Sequence, residues 1–264
     1  MKILVTGHRG FIGSQIYSYF KSHHEVVGYD YDPDVFPDIR GYDWVIHCGG
    51  NSSTTERNID LVLRQNLEFS QRLLADCHRH GVNLQYSSSA SIYGLGTDFR
   101  ETAPPDPRTP YAWSKYLFER HVAQNPGPSI VQGFRYFNVY GEPEQEAHKG
   151  GQASPHTQFR IQAKRDGRIV LFNDSDQYKR DFVPVERVIG VHKRFLSIPE
   201  SGLWNIGVGQ ARSFQEVADE VAADTLCAMY YKPMPKELEH SYQTYTCADL
   251  THLHYTMEKY DVVD

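Results

Sequence analysis

The opening segment does most to restrict how this chain can fold. A short apolar run, Ile3-Leu4-Val5-Thr6, meets three glycines, Gly7-x-x-Gly10-x-x-Gly13, and the chain continues with helical periodicity from Ser14 to Lys21. A strand that turns tightly at glycine and enters a helix must lay that helix back across the strand to bury both apolar faces. Gly7 permits the turn, Gly10 lets a ligand come close to the backbone, and Gly13 allows close helix-strand packing.

The alternation then repeats. Glu25 to Tyr29 reads as a second strand ending at Asp30, and Trp44 to Cys48 as a third, after a link rich in Pro and Asp. A long amphipathic helix is expected between about Arg57 and His80, with Leu61, Val62, Leu73, Leu74 and Cys77 on its apolar positions. Val82 to Ser87 is the fourth strand. A helix containing Tyr111 ends at Asn125 because Pro126-Gly127-Pro128 cannot continue it, and Ser129 to Phe134 is the fifth strand. Strands and helices in this order predict an α/β fold with a parallel sheet covered on both faces, binding its ligand at the carboxyl ends of the strands.

Composition narrows the partners. The chain has 264 residues, 40% hydrophobic and 23% charged, with 27 basic against 33 acidic side chains. No Lys/Arg run suits nucleic acid or an anionic membrane surface, and no apolar stretch approaches the ~20 residues of a bilayer span. With no leader-like segment at Met1, a cytoplasmic location is expected. Cys48, Cys77, Cys227 and Cys247 form no Cys-x-x-Cys pair and are expected as free thiols, and none of the 13 histidines has a spacing that supports a metal site.

Three Tyr-x-x-x-Lys pairs occur, Tyr17/Lys21, Tyr111/Lys115 and Tyr255/Lys259. Four residues apart on a helix, the two side chains share a face, where an ammonium can favour the phenolate. Position selects among them. Only Tyr111/Lys115 follows the fourth strand, with Ser89 at that strand's carboxyl end, so these three are the candidate group for moving a proton while a cofactor moves a hydride. The glycine turn, with Phe11 and Ile12 inside it, faces a pyrophosphate with the helix N-terminus. Asp30 suits a ribose diol and points to NAD, whereas Arg9 could pair with a 2′-phosphate and points to NADP. The balance leans slightly to NAD.

Gly7-x-x-Gly10-x-x-Gly13, Ser89 and Tyr111-x-x-x-Lys115 together resemble the extended short-chain dehydrogenase/reductases, the group of nucleotide-sugar epimerases and dehydratases. Four segments resemble the ADP-L-glycero-D-manno-heptose 6-epimerase family in particular: Ser52-Ser53-Thr54-Thr55-Glu56, Gly133 to Gly141, His148-Lys149-Gly150, and Lys179-Arg180-Asp181-Phe182-Val183. The resemblance implies a Rossmann-type doubly wound parallel sheet over residues 1–140, with a return segment about 181–197. A smaller, mainly C-terminal substrate-binding domain would take 141–180 and 198–264. It implies an isomerase with bound NAD or NADP, working on a nucleotide-diphosphate sugar, and a homo-oligomer. Lys115 would touch the nicotinamide ribose, and Gly49, Gly50 and Ser52 would line the cofactor with Asn66 or Gln65 nearby. Lys149 matches the family's second acid-base residue, Arg180 its diphosphate contact, and Asn138, Phe172, Ser175 and Tyr242 its substrate contacts.

The chain departs from that pattern in a short stretch between Asp30 and Asp43, in Gln158 where the family has a histidine, and in an early end at Asp264. A UDP- or GDP-hexose 4-epimerase, or a related dehydratase or reductase, is the nearest alternative. Ala90 and Ser91 stand where dehydratase chemistry needs an Asp-Glu pair. An inactive dinucleotide-binding regulator is a further alternative, against which both Tyr111 and Lys115 are present.

Overall fold

The structure, a computed structural model, describes residues 1–236 and 243–262. In chain order its elements begin β1 Lys2–Thr6, α1 Phe11–Lys21, β2 Glu25–Tyr29, β3 Trp44–His47, α2 Ile59–Leu63, α3 Phe69–His80, β4 Asn83–Ser89, α4 Pro110–Gln124 and β5 Val131–Tyr136. They continue β6 Asn138–Tyr140, α5 Pro143–Glu146, α6 Pro155–Asp166, β7 Arg168–Phe172, β8 Lys179–Pro184, α7 Val185–Phe195, β9 Gly202–Ile206, β10 Ala211–Ser213, α8 Phe214–Thr225, β11 Ala228–Lys232 and α9 Thr251–Lys259.

Six strands form the central sheet in the order β2-β1-β3-β4-β5-β9, every pair parallel. Helices cover both faces, as buried parallel strands require. Ile16 and Phe20 of α1 pack on Ile3, Val5 and Ile46, with Ile189 of α7 alongside. On the opposite face Leu73, Leu74 and Cys77 of α3 and Phe118 of α4 pack on Leu84, Tyr86 and Val131. A smaller region carries two short sheets, β10-β8-β6 and β11-β7, over a core of Phe159, Leu171, Phe182 and Val217.

Two expectations change. β9 lies within 198–264, the stretch assigned from sequence to the smaller domain, yet it pairs with β5 from Gln132↔Gly202 to Tyr136↔Ile206. Its Trp204 is fully buried against Phe134 and Phe195, and α9 covers it through Leu253 and Met257. The apolar edge of β5 needed that cover, and no periodicity inside five residues discloses which sheet a strand joins. The long helix expected from about Arg57 instead starts at Ile59, capped by the Asn58 side chain, and is interrupted by a π-helical turn, Arg64–Glu68. The turn sets Asn66 inward, where its Oδ1 accepts from Asn51 N at 2.6 Å and its Nδ2 donates to Asn51 O at 2.9 Å and to Ser114 Oγ at 3.0 Å.

A buried ion pair seats α4 on the sheet. Arg135 of β5 donates to both carboxylate oxygens of Glu119 on α4, through Nε at 2.9 Å and Nη2 at 2.7 Å, with both side chains almost wholly buried. Ser88 Oγ of β4 donates to the same carboxylate. Burial works against the Arg135 charge, and the Glu119 carboxylate more than offsets it, so the guanidinium pKa ends raised. Removing one partner strands the other charge in the interior. Arg135→Met and Glu119→Gln are each expected to lower the unfolding free energy by about 3–5 kcal/mol in urea titrations.

Candidate active site

The three glycines place α1 over the end of β1. Gly7 has φ +72, and a Cβ there would lie 2.6 Å from the backbone of Gly49. A Cβ on Gly13 would lie 2.1 Å from Gly7 O. Turn, helix and the loop after β3 therefore close together only with glycine at both positions. The N-terminus of α1 opens onto a cavity of about 510 Å³ lined by Gly7, Gly10, Phe11, Ile12, Gly13, Asp30, Gly49, Gly50 and Ser52. Tyr31, Cys48, Asn51, Ser53, Gln65, Lys149 and Gln152 complete its wall. A smaller extension of about 80 Å³ shares Ile12, Cys48, Gly49 and Gly50 and ends at Tyr111, Lys115 and Tyr136. Glycine turn, Tyr111/Lys115 pair and Lys149 thus border one cleft.

At its deep end Lys115 Nζ donates to Ser87 O at 2.9 Å and lies 5.8 Å from the Tyr111 ring centroid. Burial depresses the Lys115 pKa to about 8, while Cys48 and Glu119 pull it upward. Burial pushes the Tyr111 phenol up, and the Ser89 hydroxyl draws it partway back. Desolvation is the larger of these two effects on the phenol. The Lys115 ammonium keeps its charge while donating to the Ser87 carbonyl, so it remains available, one turn along α4, to favour the phenolate. Ser89 ends β4, and its Oγ accepts from Ser91 N at 3.2 Å. The other two Tyr-Lys pairs lie elsewhere: Lys21 covers the Tyr17 ring at 5.3 Å, and Tyr255 is exposed.

At the adenosine end Asp30 borders the cavity. Its Oδ2 lies 3.1 Å from His8 Nδ1 and 3.3 Å from Arg9 Nε, yet among the described residues no donor is aligned to hydrogen-bond it. Arg9 does not line the cavity; its exposed side chain turns back onto Asp30, and its backbone N donates to Asp30 Oδ1 at 3.4 Å. Asn66 also differs from expectation. It is buried behind the wall, tying the Asn51 loop to Ser114 on α4, while Gln65 faces the cavity. A helix N-terminus that closes against the neighbouring loop only through glycines, and a carboxylate at the cavity's edge, together fit a dinucleotide.

Of the remaining candidates, Phe172 and Ser175 line a separate pocket of about 280 Å³ in the smaller region, with Gln158, Phe214 and Lys232. Arg180 stands beside it, its guanidinium 5.5 Å from the Phe214 ring. Asp181 does not serve as a simple ion partner; its carboxylate takes the backbone N–H groups of Val208, Gly209 and Ala248. Asn138 is exposed at the start of β6 and borders neither cavity. Tyr242 lies outside the described residues. The wall residues Cys48 and Gln152 were not foreseen. Gln152 Nε2 donates to Ser53 Oγ at 2.8 Å, a contact between segments 99 residues apart that local pattern cannot announce.

The model of the NAD dependent epimerase/dehydratase family matches residues 3–207. The chain belongs to this family. It is 35% identical to ADP-L-glycero-D-manno-heptose-6-epimerase of Pseudomonas paraeruginosa, over 95% of this chain and 91% of that protein. Among solved structures it is similar to the ADP-L-glycero-D-manno-heptose-6-epimerase of Helicobacter pylori, with TM-score 0.86 and 25% identity, covering 99% of this chain and 90% of that one. It is similar also to UDP-glucose 4-epimerase of Thermus thermophilus in complex with NAD, with TM-score 0.82 and 26% identity, covering 98% and 93%. As a member of this family the protein is an enzyme with a nicotinamide dinucleotide cofactor. No helix among the described residues is long and apolar enough to cross a membrane.

We propose Lys115, at the deep end, as the charge that meets a cofactor ribose. Because its pKa is depressed to about 8, dinucleotide affinity is expected to fall as pH rises through that value. In Lys115→Met the affinity is expected to be lower throughout and flat across the same range, measured by calorimetric titration.

Proposed function

We propose that the protein is an ADP-glyceromanno-heptose 6-epimerase that oxidises its sugar and reduces it again in place. The observation that carries this reading is the position of two proton-transfer side chains, Tyr111 and Lys149, on adjoining parts of one dinucleotide-shaped cleft. The heptose epimerases of Pseudomonas and Helicobacter, similar over most of the chain, support the choice of sugar.

A nicotinamide held in this cleft would supply the hydride acceptance and return that the reacting carbon needs. Tyr111 takes the proton of the hydroxyl on that carbon, and Ser89 orients the same oxygen. Lys115 holds the cofactor ribose and the Ser87 carbonyl, fixing the reacting face. Once the ketone has turned, Lys149 gives a proton to its oxygen from the other wall of the cleft. The proton balance closes: Tyr111 gains one, Lys149 loses one, and exchange with solvent restores both. Phe172, Ser175 and Arg180 form the end of the site that would hold the nucleotide, the guanidinium fork serving the diphosphate. Asn138 and Tyr242 keep their substrate roles on sequence resemblance alone.

NAD is the cofactor we assign. The Asp30 carboxylate borders the cavity, where it can accept from a ribose hydroxyl and would repel a 2′-phosphate, and Arg9 is engaged by Asp30. Replacing Asp30 with Ala is expected to weaken NAD binding roughly tenfold, the worth of one hydrogen bond to a charged group, and to narrow the preference over NADP.

Incubation with ADP-D-glycero-D-manno-heptose, followed at carbon 6 by NMR, tests the reaction. Tyr111→Phe and Lys149→Ala are each expected to slow it by about 10²–10⁴-fold, the usual contribution of a positioned acid or base. Turnover of a UDP- or GDP-hexose with none of the heptose would instead select the 4-epimerase reading. A Lys149→Ala enzyme at near wild-type rate would remove the second proton-transfer group.

A further inference from the structure

Glu146 is fully buried, and its carboxylate gathers donors from both sides of the segment that carries Lys149. Gly141 N, at the end of β6, donates to Oε1 at 3.1 Å. From the start of α6, Ser154 Oγ and Thr157 Oγ1 donate to Oε1 at 2.7 and 3.0 Å, and Ser154 N donates to Oε2 at 2.6 Å. Four donors surround the carboxylate, three at Oε1 and one at Oε2, which makes its burial tolerable. They also fasten the two ends of the Ala147–Gln152 turn at a single point. Within that turn Gly150 adopts φ 52, a left-handed conformation that suits glycine.

Lys149 projects from this fastened turn into the 510 Å³ cavity. Its Nζ stands 3.9 Å from Glu146 Oε2 and 5.0 Å from the Phe11 ring centroid. The ammonium is thus held between a carboxylate behind it and the aromatic ring of the glycine turn in front. We propose that Glu146 is the positioning residue of the second proton-transfer group: it fixes the turn that carries Lys149 and sets a negative charge against the ammonium, so that Lys149 enters the reaction as the proton donor. The proposal rests on the catalytic reading of Lys149.

The electrostatics agree with the geometry. Burial lowers the Lys149 pKa, and the Glu146 carboxylate pulls it back up. Asp30, the other acid bordering the cavity, is engaged by His8 and Arg9. His156 on α6 also faces Glu146, but burial against Tyr140 and Phe182 depresses its pKa to about 4, so it adds no charge near neutrality. Loss of the Glu146 charge therefore leaves desolvation unopposed, and Lys149 gives up its proton at lower pH.

The test is Glu146→Gln in the full chain with lysines labelled at 13Cε, the Lys149 signal being the one lost in Lys149→Arg. Its titration is expected at lower pH than in the wild type, the alkaline limb of kcat is expected to move the same way, and kcat at mildly alkaline pH is expected to drop roughly tenfold. A merely structural Glu146 would lower the rate at every pH and leave the Lys149 titration in place, and that result overturns the proposal. A titration that moves while the rate profile stays still upholds Glu146 as the partner of Lys149 and removes Lys149 from catalysis. Should Glu146→Gln not fold, Glu146→Asp, which withdraws the carboxylate by one methylene, is expected to move the titration in the same direction.

Discussion

The buried Glu119–Arg135 pair is the interaction on which the rest of the site depends. It joins α4 to β5, and the Ser88 hydroxyl adds β4 to the same carboxylate. Tyr111 and Lys115 occupy the preceding two turns of α4, so their position over the sheet is set by where Glu119 is held. The pair also acts at a distance. Glu119 raises the Lys115 pKa against burial, and Arg135 lies 4.9 Å from the ring centroid of Tyr93, whose hydroxyl donates to Asn205 of β9 at 2.8 Å. One charge pair thus ties α4 to three neighbouring strands.

A second set of polar contacts gathers the cleft from distant parts of the chain. Thr6 of β1 meets His47 of β3, His47 meets Ser70, Ser70 donates to the carbonyl of Asn66, and Asn66 reaches Ser114 on α4. This buried path links the strand that ends at the glycine turn to the helix of the Tyr-Lys pair. Above the cavity Gln152 clasps Ser53, and Gln145 Nε2 donates to Gln15 Oε1 of α1 at 3.0 Å, so the Lys149 segment rests on the dinucleotide-binding half. In the buried path burial is acceptable because each polar group finds a partner.

Much of this was legible along the chain. The glycine spacing, the strand-helix alternation and the placement of Tyr111 after the fourth strand need only local rules of turn, period and chain order, and the observed sheet follows them. The Lys149 segment was legible only by resemblance, since a lysine beside glycines in a loop has no local signature. Arg9 and Asn66 show the limit from the other side. Each has a residue type suited to a cofactor, yet Arg9 is drawn to Asp30 and Asn66 is turned inward by a π-helical turn. Those outcomes are decided by competition among partners that lie far apart in sequence.

By itself the amino-acid sequence determined the α/β layout, the cradle at the N-terminus of α1 and the place of Tyr111/Lys115 on the helix after the fourth strand, because these depend on spacing within single elements and on the order of neighbouring ones. Tertiary structure alone decided that β9 completes the large sheet, that Lys115 binds the Ser87 carbonyl, and that Glu146 stands behind Lys149. The physical reason is common to all three. Edge pairing, desolvation and the satisfaction of a buried charge depend on which groups share a dry volume, and that is settled only when the distant segments pack.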